Sequence, residues 1–315
     1  MIQRKNMPNR KNITTMQKTW IVLASCLCIT GCFRTTTVIK GSVIDASMNT
    51  VTLQTQENKT YVFSTIETDK SQLNGLLLGK SVKAKFQLPY QRGQKLLSLS
   101  DYPQPADLFN EATVLIPADS VKPLLYLLAD KNTLRLFDAA GNLHAVLSKS
   151  LTKDADLYWQ AKALDLKLQK DKGLWKLKQK ENLLYRQAAE LADSSLGELI
   201  EERFVGVLPA ADCSGIRYDL RVKHRTHSGD GLFLLTLTYL NAETDRDLSY
   251  SYLGRRFTLR GSADDNNAIV WQCQTDDQAF MVNFLYEPKK QSLSLLTKGS
   301  REIHSQLNYT LKKVQ

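Results

Sequence analysis

Five cysteines and four histidines are all that this chain holds of the residues that most often bind metals or serve as nucleophile and base. It carries no Gly-x-Ser-x-Gly elbow, no phosphate-binding glycine loop and no His-Glu-x-x-His helix, which removes the commonest hydrolase, nucleotide and zinc-protease signatures. Ser150 and Lys153 keep a Ser-x-x-Lys spacing that arises often by chance. The paired carboxylates in "TDD", "ADD" and "IEER" fall in turns and at strand ends, where solvated charge is the ordinary arrangement. No enzymatic role is expected. Long apolar runs are missing too. "IVLASCLCITGC" (residues 21–32) is the longest, and its apolar part is about half of the roughly twenty residues a spanning helix needs.

That run reads instead as part of an export signal. The segment before it holds Arg4, Lys5, Arg10, Lys11 and Lys18 and no acidic residue. A basic stretch followed by a short apolar core is the pattern of a secretory signal. Ile29-Thr30-Gly31-Cys32 then fits a bacterial lipobox, with residues 1–31 removed and Cys32 acylated. The overlapping Leu23-Ala24-Ser25-Cys26 leaves almost no apolar core. Phe33, rather than Asp, after the cysteine favours the outer membrane by the usual sorting rule. Acyl chains plus a diglyceride make such anchoring permanent, so outer-membrane lipid is the first expected partner, with the protein facing the periplasm.

Removing the signal halves the charge. The chain has 42 basic and 32 acidic residues, but residues 33–315 have 37 and 32, a net of +5. Basicity is thus weak grounds for a nucleic-acid partner, and none is expected. Cys26 and Cys28 leave with the signal, so Cys213 and Cys273 remain. Cys213, in "GVLPAADCSGI" (206–216), has three candidate roles: metal ligand, redox thiol or half of a bridge. Two cysteines in an oxidising compartment favour a bridge over two free thiols. Closing a loop of about 60 residues is worth roughly 4 kcal/mol in the chain-entropy model.

The remaining pattern is mostly period two with frequent turn residues, an all-β signature. Residues 33–102 offer five strands with a short helix at "DKSQLNGLLLG", suggesting a small OB-like barrel. A boundary is expected at Pro103–Pro105. Residues 106–193 read as a β-meander containing a long hairpin that turns at "KDKG". Leu164, Leu166, Leu168, Trp175 and Leu177 fall on one face of it and Lys176, Lys178 and Lys180 on the other. Residues 197–315 supply eight strands, enough for a closed up-and-down barrel. "HAVLSKSL" (144–151) is similar to "HSQLNYTL" (304–311). Either the middle block is a degenerate barrel related to the last, or two hairpins resemble each other by chance.

"GVLPAADCSGI", the meander after it and the closing "SQLNYTL" resemble the N-terminal domain of the NlpE family of copper-resistance and envelope-stress outer-membrane lipoproteins. The resemblance covers about Phe204 to Leu311. It implies a lipocalin-like eight-stranded barrel at the outer membrane, a sensor or adaptor role toward a Cpx-type sensor kinase, and a link to copper tolerance. The family usually carries Cys-x-x-Cys in the opening loop, whereas here Ala210 takes the first position and Cys213 stands alone. The family's OB-like domain follows the lipocalin-like one, whereas here it precedes it. A soft copper site wants two or more thiolate or thioether ligands. The candidates left are Cys213 with His224 and His227, and histidines at i and i+3 fall on opposite faces of a strand unless a turn intervenes. The alternative function is a barrel that holds copper or a small apolar molecule, although large Leu, Phe, Tyr and Trp residues on these strands favour a filled interior.

Overall fold

The computed structural model describes residues 35–119, 122–130, 133–151, 157–243 and 246–314. The expected signal segment, Cys26 and the expected acylation site Cys32 lie outside them. Thr36–Gln315 forms one compact unit, and its cores draw only on residues within it.

The first six strands are β1 (Thr36–Ala46), β2 (Thr50–Gln54), β3 (Thr60–Ser64), β4 (Ser81–Gln87), β5 (Gln94–Lys95) and β6 (Ser98–Asp101). β4 shows why they fold: Val82, Ala84 and Phe86 are buried while Lys83 and Lys85 alternate with them. Phe63 and Phe86 lie 5.0 Å apart in the core this sheet curls around. The strand order is β5-β3-β2-β1-β4-β6, and β5 does not meet β6. The expected OB-like barrel is therefore a curled half-barrel with two open edges. The short helix expected at residues 69–79 is absent as well. Gly75 and Gly79 both take positive φ there, +71° and +78°, and break the helical path.

At the predicted boundary a helix forms, α1 (Pro105–Glu111). Pro105 suits a first turn, and the Asp107 carboxylate accepts the Gln104 backbone N–H at 2.9 Å. Lysines of the half-barrel hold this helix: Lys83 pairs with Asp107, and Lys40 with Glu111 at 2.7 Å.

The middle part is β7 (Thr113–Pro117), β8 (Leu125–Ala129), β9 (Thr133–Phe137), β10 (Leu143–Leu151), β11 (Leu157–Ala161), β12 (Leu166–Asp171), β13 (Leu174–Gln179) and β14 (Asn182–Gln187). It is a closed barrel, not a meander. The closing seam is β14 on β7, with Arg186 opposite Ile116. The long hairpin is four strands: its turn at Asp171–Leu174 is as expected, but a 3-10 turn at Lys162–Leu164 splits its first arm. Leu164 sits in that turn, 47% exposed, off the predicted face. Leu115, Leu127, Leu136, Leu147, Leu168 and Leu177 fill the interior.

A short helix, α2 (Ala189–Ala192), leads to β15 (Leu199–Leu208), β16 (Ile216–Arg225), β17 (Gly231–Glu243), β18 (Arg246–Arg260), β19 (Ile269–Thr275), β20 (Met281–Glu287), β21 (Ser292–Leu295) and β22 (Thr310–Val314). These eight close into the expected barrel through β15 and β22, with Phe204 opposite Lys313. Most of "HSQLNYTL" is loop ahead of β22, whereas "HAVLSKSL" lies in the fourth strand of the middle barrel. The two segments therefore do not occupy equivalent places, even though both blocks are eight-stranded barrels.

A further core joins the parts. Val114 and Ile116 of β7, Tyr126 and Leu128 of β8, Leu232 and Leu234 of β17, and Leu253 of β18 point out of their barrels and pack together with Leu108 and Phe109 of α1. Side chains alternate along a strand, so β17 sends Phe233, Leu235 and Leu237 inward and Leu232 and Leu234 into this shared core.

Candidate functional site

The carboxyl-terminal barrel carries the candidate site residues. Its interior is filled by Phe204, Phe233, Trp271, Phe284, Leu293 and Leu311, with Trp271 stacked on Tyr286 at 4.3 Å and edge-on to Phe204 at 5.6 Å.

A polar group sits at one side of this interior. Glu202 keeps the inward parity of Phe204, two residues on. Its Oε1 accepts from Lys313 Nζ at 2.7 Å and its Oε2 from His224 Nε2 at 3.1 Å. The hydrogen bond from His224, with help from Lys313 and against the cost of burial, brings the Glu202 carboxyl down to about 2. His224 Nδ1 faces the Arg225 carbonyl oxygen at 2.9 Å. Both ring nitrogens thus face oxygen acceptors, and neither has a lone pair aimed at a metal position. Arg256 is fully buried, with its guanidinium 4.7 Å over the Trp271 ring. Its Nη1 donates to the Gly229 carbonyl at 2.8 Å and to Thr258 Oγ1, while Nε and Nη2 have no partner.

The two cysteines are free thiols, so the expected Cys213–Cys273 bridge is not formed. Cys273 points into the barrel core, where burial pushes its thiol up to about 12. Cys213 is half-buried in the β15–β16 loop and donates to the Gly215 carbonyl at 3.3 Å. That loop is stitched to the end of β17 by Ser214 N–H to Leu240 O at 3.0 Å and Leu240 N–H to Gly215 O at 2.9 Å.

The expected copper set is not assembled. Cys213 precedes β16 and His224 stands near its far end, roughly 25 Å away at about 3.3 Å per residue. His227 is exposed in the turn beyond, its backbone N–H bonded to Leu196 O at 2.9 Å. Among the described residues, no group of three or more His, Cys, Asp or Glu could hold a metal ion.

A cleft of about 530 Å³ opens between the two closed barrels, lined by Ile116, Lys122, Glu190, Arg255, Phe257 and Asp276 among others. Arg255 Nη2 pairs with Glu190 at 3.1 Å. One oxygen of Asp276, Oδ2, is buried without a partner, as is the Tyr126 hydroxyl. Burial raises the Asp276 carboxyl to about 7, partly opposed by the Leu124 backbone N–H and the Arg255 charge.

Sequence reasoning missed Glu202, Arg256 and Asp276 as buried groups. Parity was the available signal for the first two, since Glu202 shares the inward parity of Phe204 and Arg256 that of Tyr252. Asp276 carried none, because its burial comes from a neighbouring barrel.

Fold and interior define the class: an up-and-down eight-stranded antiparallel β-barrel with a packed core, fused to a second such barrel and a half-barrel. Residues 204–306 match the family described as the NlpE N-terminal domain, so an NlpE domain is present in this chain. The match runs from within β15 to the loop before β22, about a third of the chain. No enzyme family is found, and NlpE domains are generally non-catalytic. No curated protein and no solved structure matches. Among the described residues, no helix is long and apolar enough to cross a membrane.

Proposed function

We propose that this protein is a non-catalytic, lipid-anchored outer-membrane lipoprotein that faces the periplasm and reports envelope stress or surface contact through protein contacts. Acylated Cys32 is its anchor and a Cpx-type sensor kinase its signalling partner. The observation that carries this reading is the NlpE domain on a barrel whose interior is already filled by its own aromatic and leucine side chains. A filled barrel offers its outer surface and loops rather than a cavity. The same filling speaks against a small apolar ligand inside, and the separation of Cys213 from His224 speaks against a copper centre built from them. A link to copper tolerance would then run through signalling rather than through a resident ion.

The test is a Cpx-responsive reporter in cells that overproduce either the whole chain or a Cys32→Ala form. Induction by the first, changed by loss of the anchor, is the expected result. A flat response to both would remove the sensor reading.

A further inference from the structure

The middle barrel carries an unbalanced charge that the sensor reading does not use. Residues 162–186 hold eight basic side chains against three acidic ones, a net of +5, as large as the excess over all of residues 33–315. The register concentrates this charge. Leu168, Leu177 and Tyr185 point inward, which turns Lys167, Lys176, Lys178 and Arg186 outward. Lys167 stands directly opposite Lys178, and Lys176 directly opposite Arg186. Like charges directly across a sheet are destabilising, so the fold carries this repulsion without structural gain. Of the four, Lys176 has an acidic partner, Asp171 at 2.5 Å.

Apolar and aromatic groups are interleaved with these lysines. Lys167 Nζ lies 4.7 Å over the Tyr158 ring. Leu183 stands opposite Lys178 and is 38% exposed. We propose that the outer face of β12–β14 docks on the phosphate-bearing headgroups of an anionic lipid bilayer.

Charge complementarity gives the sign of the partner, and the side-chain mixture gives its kind. Lysine stems that end in mobile ammonium groups, with an aromatic ring and a leucine among them, suit a headgroup layer that takes cations and apolar groups together. An acidic peptide would instead call for a groove and fixed arginine forks. Each lysine at such a surface contributes about five-fold in partitioning.

The experiment uses residues 33–315 without lipid, so that the acyl anchor is not what is measured and the sensor reading is not what is tested. Sedimentation with phosphatidylcholine vesicles, with and without phosphatidylglycerol, reads the binding. Expected are binding to the anionic vesicles alone, a fall with added salt, and a loss of about twenty-five-fold in Lys167→Gln/Lys178→Gln. Leu183→Ser should weaken binding and leave its salt dependence unchanged. Lys178→Glu places an opposite charge across from Lys167, so its melting temperature should not fall, which separates lost binding from lost folding. Equal binding to both vesicles, no binding to the anionic ones, or unaffected variants would overturn the proposal. So would displacement by soluble polyglutamate as effective as that by anionic vesicles, which would point to an acidic protein.

Discussion

Glu202 on β15 holds Lys313 on β22, Oε1 to Nζ at 2.7 Å, so one carboxylate bridges the seam between the first and last strands of the carboxyl-terminal barrel. His224 on the neighbouring strand fills its other oxygen at 3.1 Å. The carboxyl is held at about 2 in the folded protein, below its ordinary 4.5. A group depressed by folding adds stability that is complete above its unfolded value and disappears as pH falls through its folded one. Stability should therefore drop between pH 4.5 and about 2, by about 2 kcal/mol once solvent screening is allowed for. Glu202→Gln should lose a similar amount at neutral pH and make that acid limb shallower. Urea unfolding across the range checks both; equal acid limbs for the two proteins would count against the bridge.

Asp276 works in the opposite direction. Its folded value, about 7, lies above its ordinary 3.8, so between those values the folded protein holds a proton that the unfolded chain releases. Stability from this group is present at acid pH and declines as pH rises from 3.8 toward 7. Asp276→Asn should leave the melting temperature nearly unchanged under mild acid and raise it under mild alkali, by several degrees. A variant that melts lower at alkaline pH would show the carboxylate to be stabilising there.

The thiols should differ sharply in reactivity. Cys213 is accessible at the barrel's end, whereas Cys273 is fully buried with its thiol pushed up to about 12. Iodoacetamide should add one label to the native soluble protein, at Cys213, and two after unfolding. The intact mass of residues 33–315 before labelling should match two free thiols. A mass two hydrogens lighter, mapped to Cys213–Cys273, would establish the bridge that the free thiols argue against.

Coupling between the barrels rests on a few buried side chains. Phe109 is fully buried in the shared core, and Lys223 Nζ lies 4.5 Å over its ring. Phe109→Ala should cost about 3–5 kcal/mol and split one calorimetric transition into two as the barrels part. Phe204→Ala, inside a single barrel, should cost a similar amount without making the two barrels melt separately. A single sharp transition in the Phe109 variant would mean that the barrels are coupled through other contacts.

Strand count in the carboxyl-terminal barrel was legible because most of its strands have one wet and one dry face; β17, buried on both faces over Leu232–Leu235, was legible by its length instead. Closure of the middle barrel was not, and β7 is the reason. Its "TVLIP" has no alternation, since Leu115 enters one core while Val114 and Ile116 enter another. A short apolar run with no wet face does not announce itself as a strand. Without β7 the remaining strands have no partner to close on. The half-barrel was overread for a related reason: five strand patterns suggest a barrel, but period-two pattern says nothing about whether the last edge meets the first. At the candidate site, the sequence named cysteines and histidines by type. The buried charges that the barrel keeps, Glu202 and Arg256, were hidden among ordinary surface letters.

The shared core also sets how this molecule would handle force and distance. Domains joined by flexible linkers search a volume, and the local concentration of the far domain depends on linker length. Here α1 is clamped to the half-barrel by Lys40 and Lys83 and buried by Phe109 against the barrel beyond. Reach is then a fixed dimension of packed strands, and a pull on the half-barrel passes to β17 through side chains in contact. For a protein tethered at one end, the far barrel would be held at a set height, and a partner would meet it there or not at all.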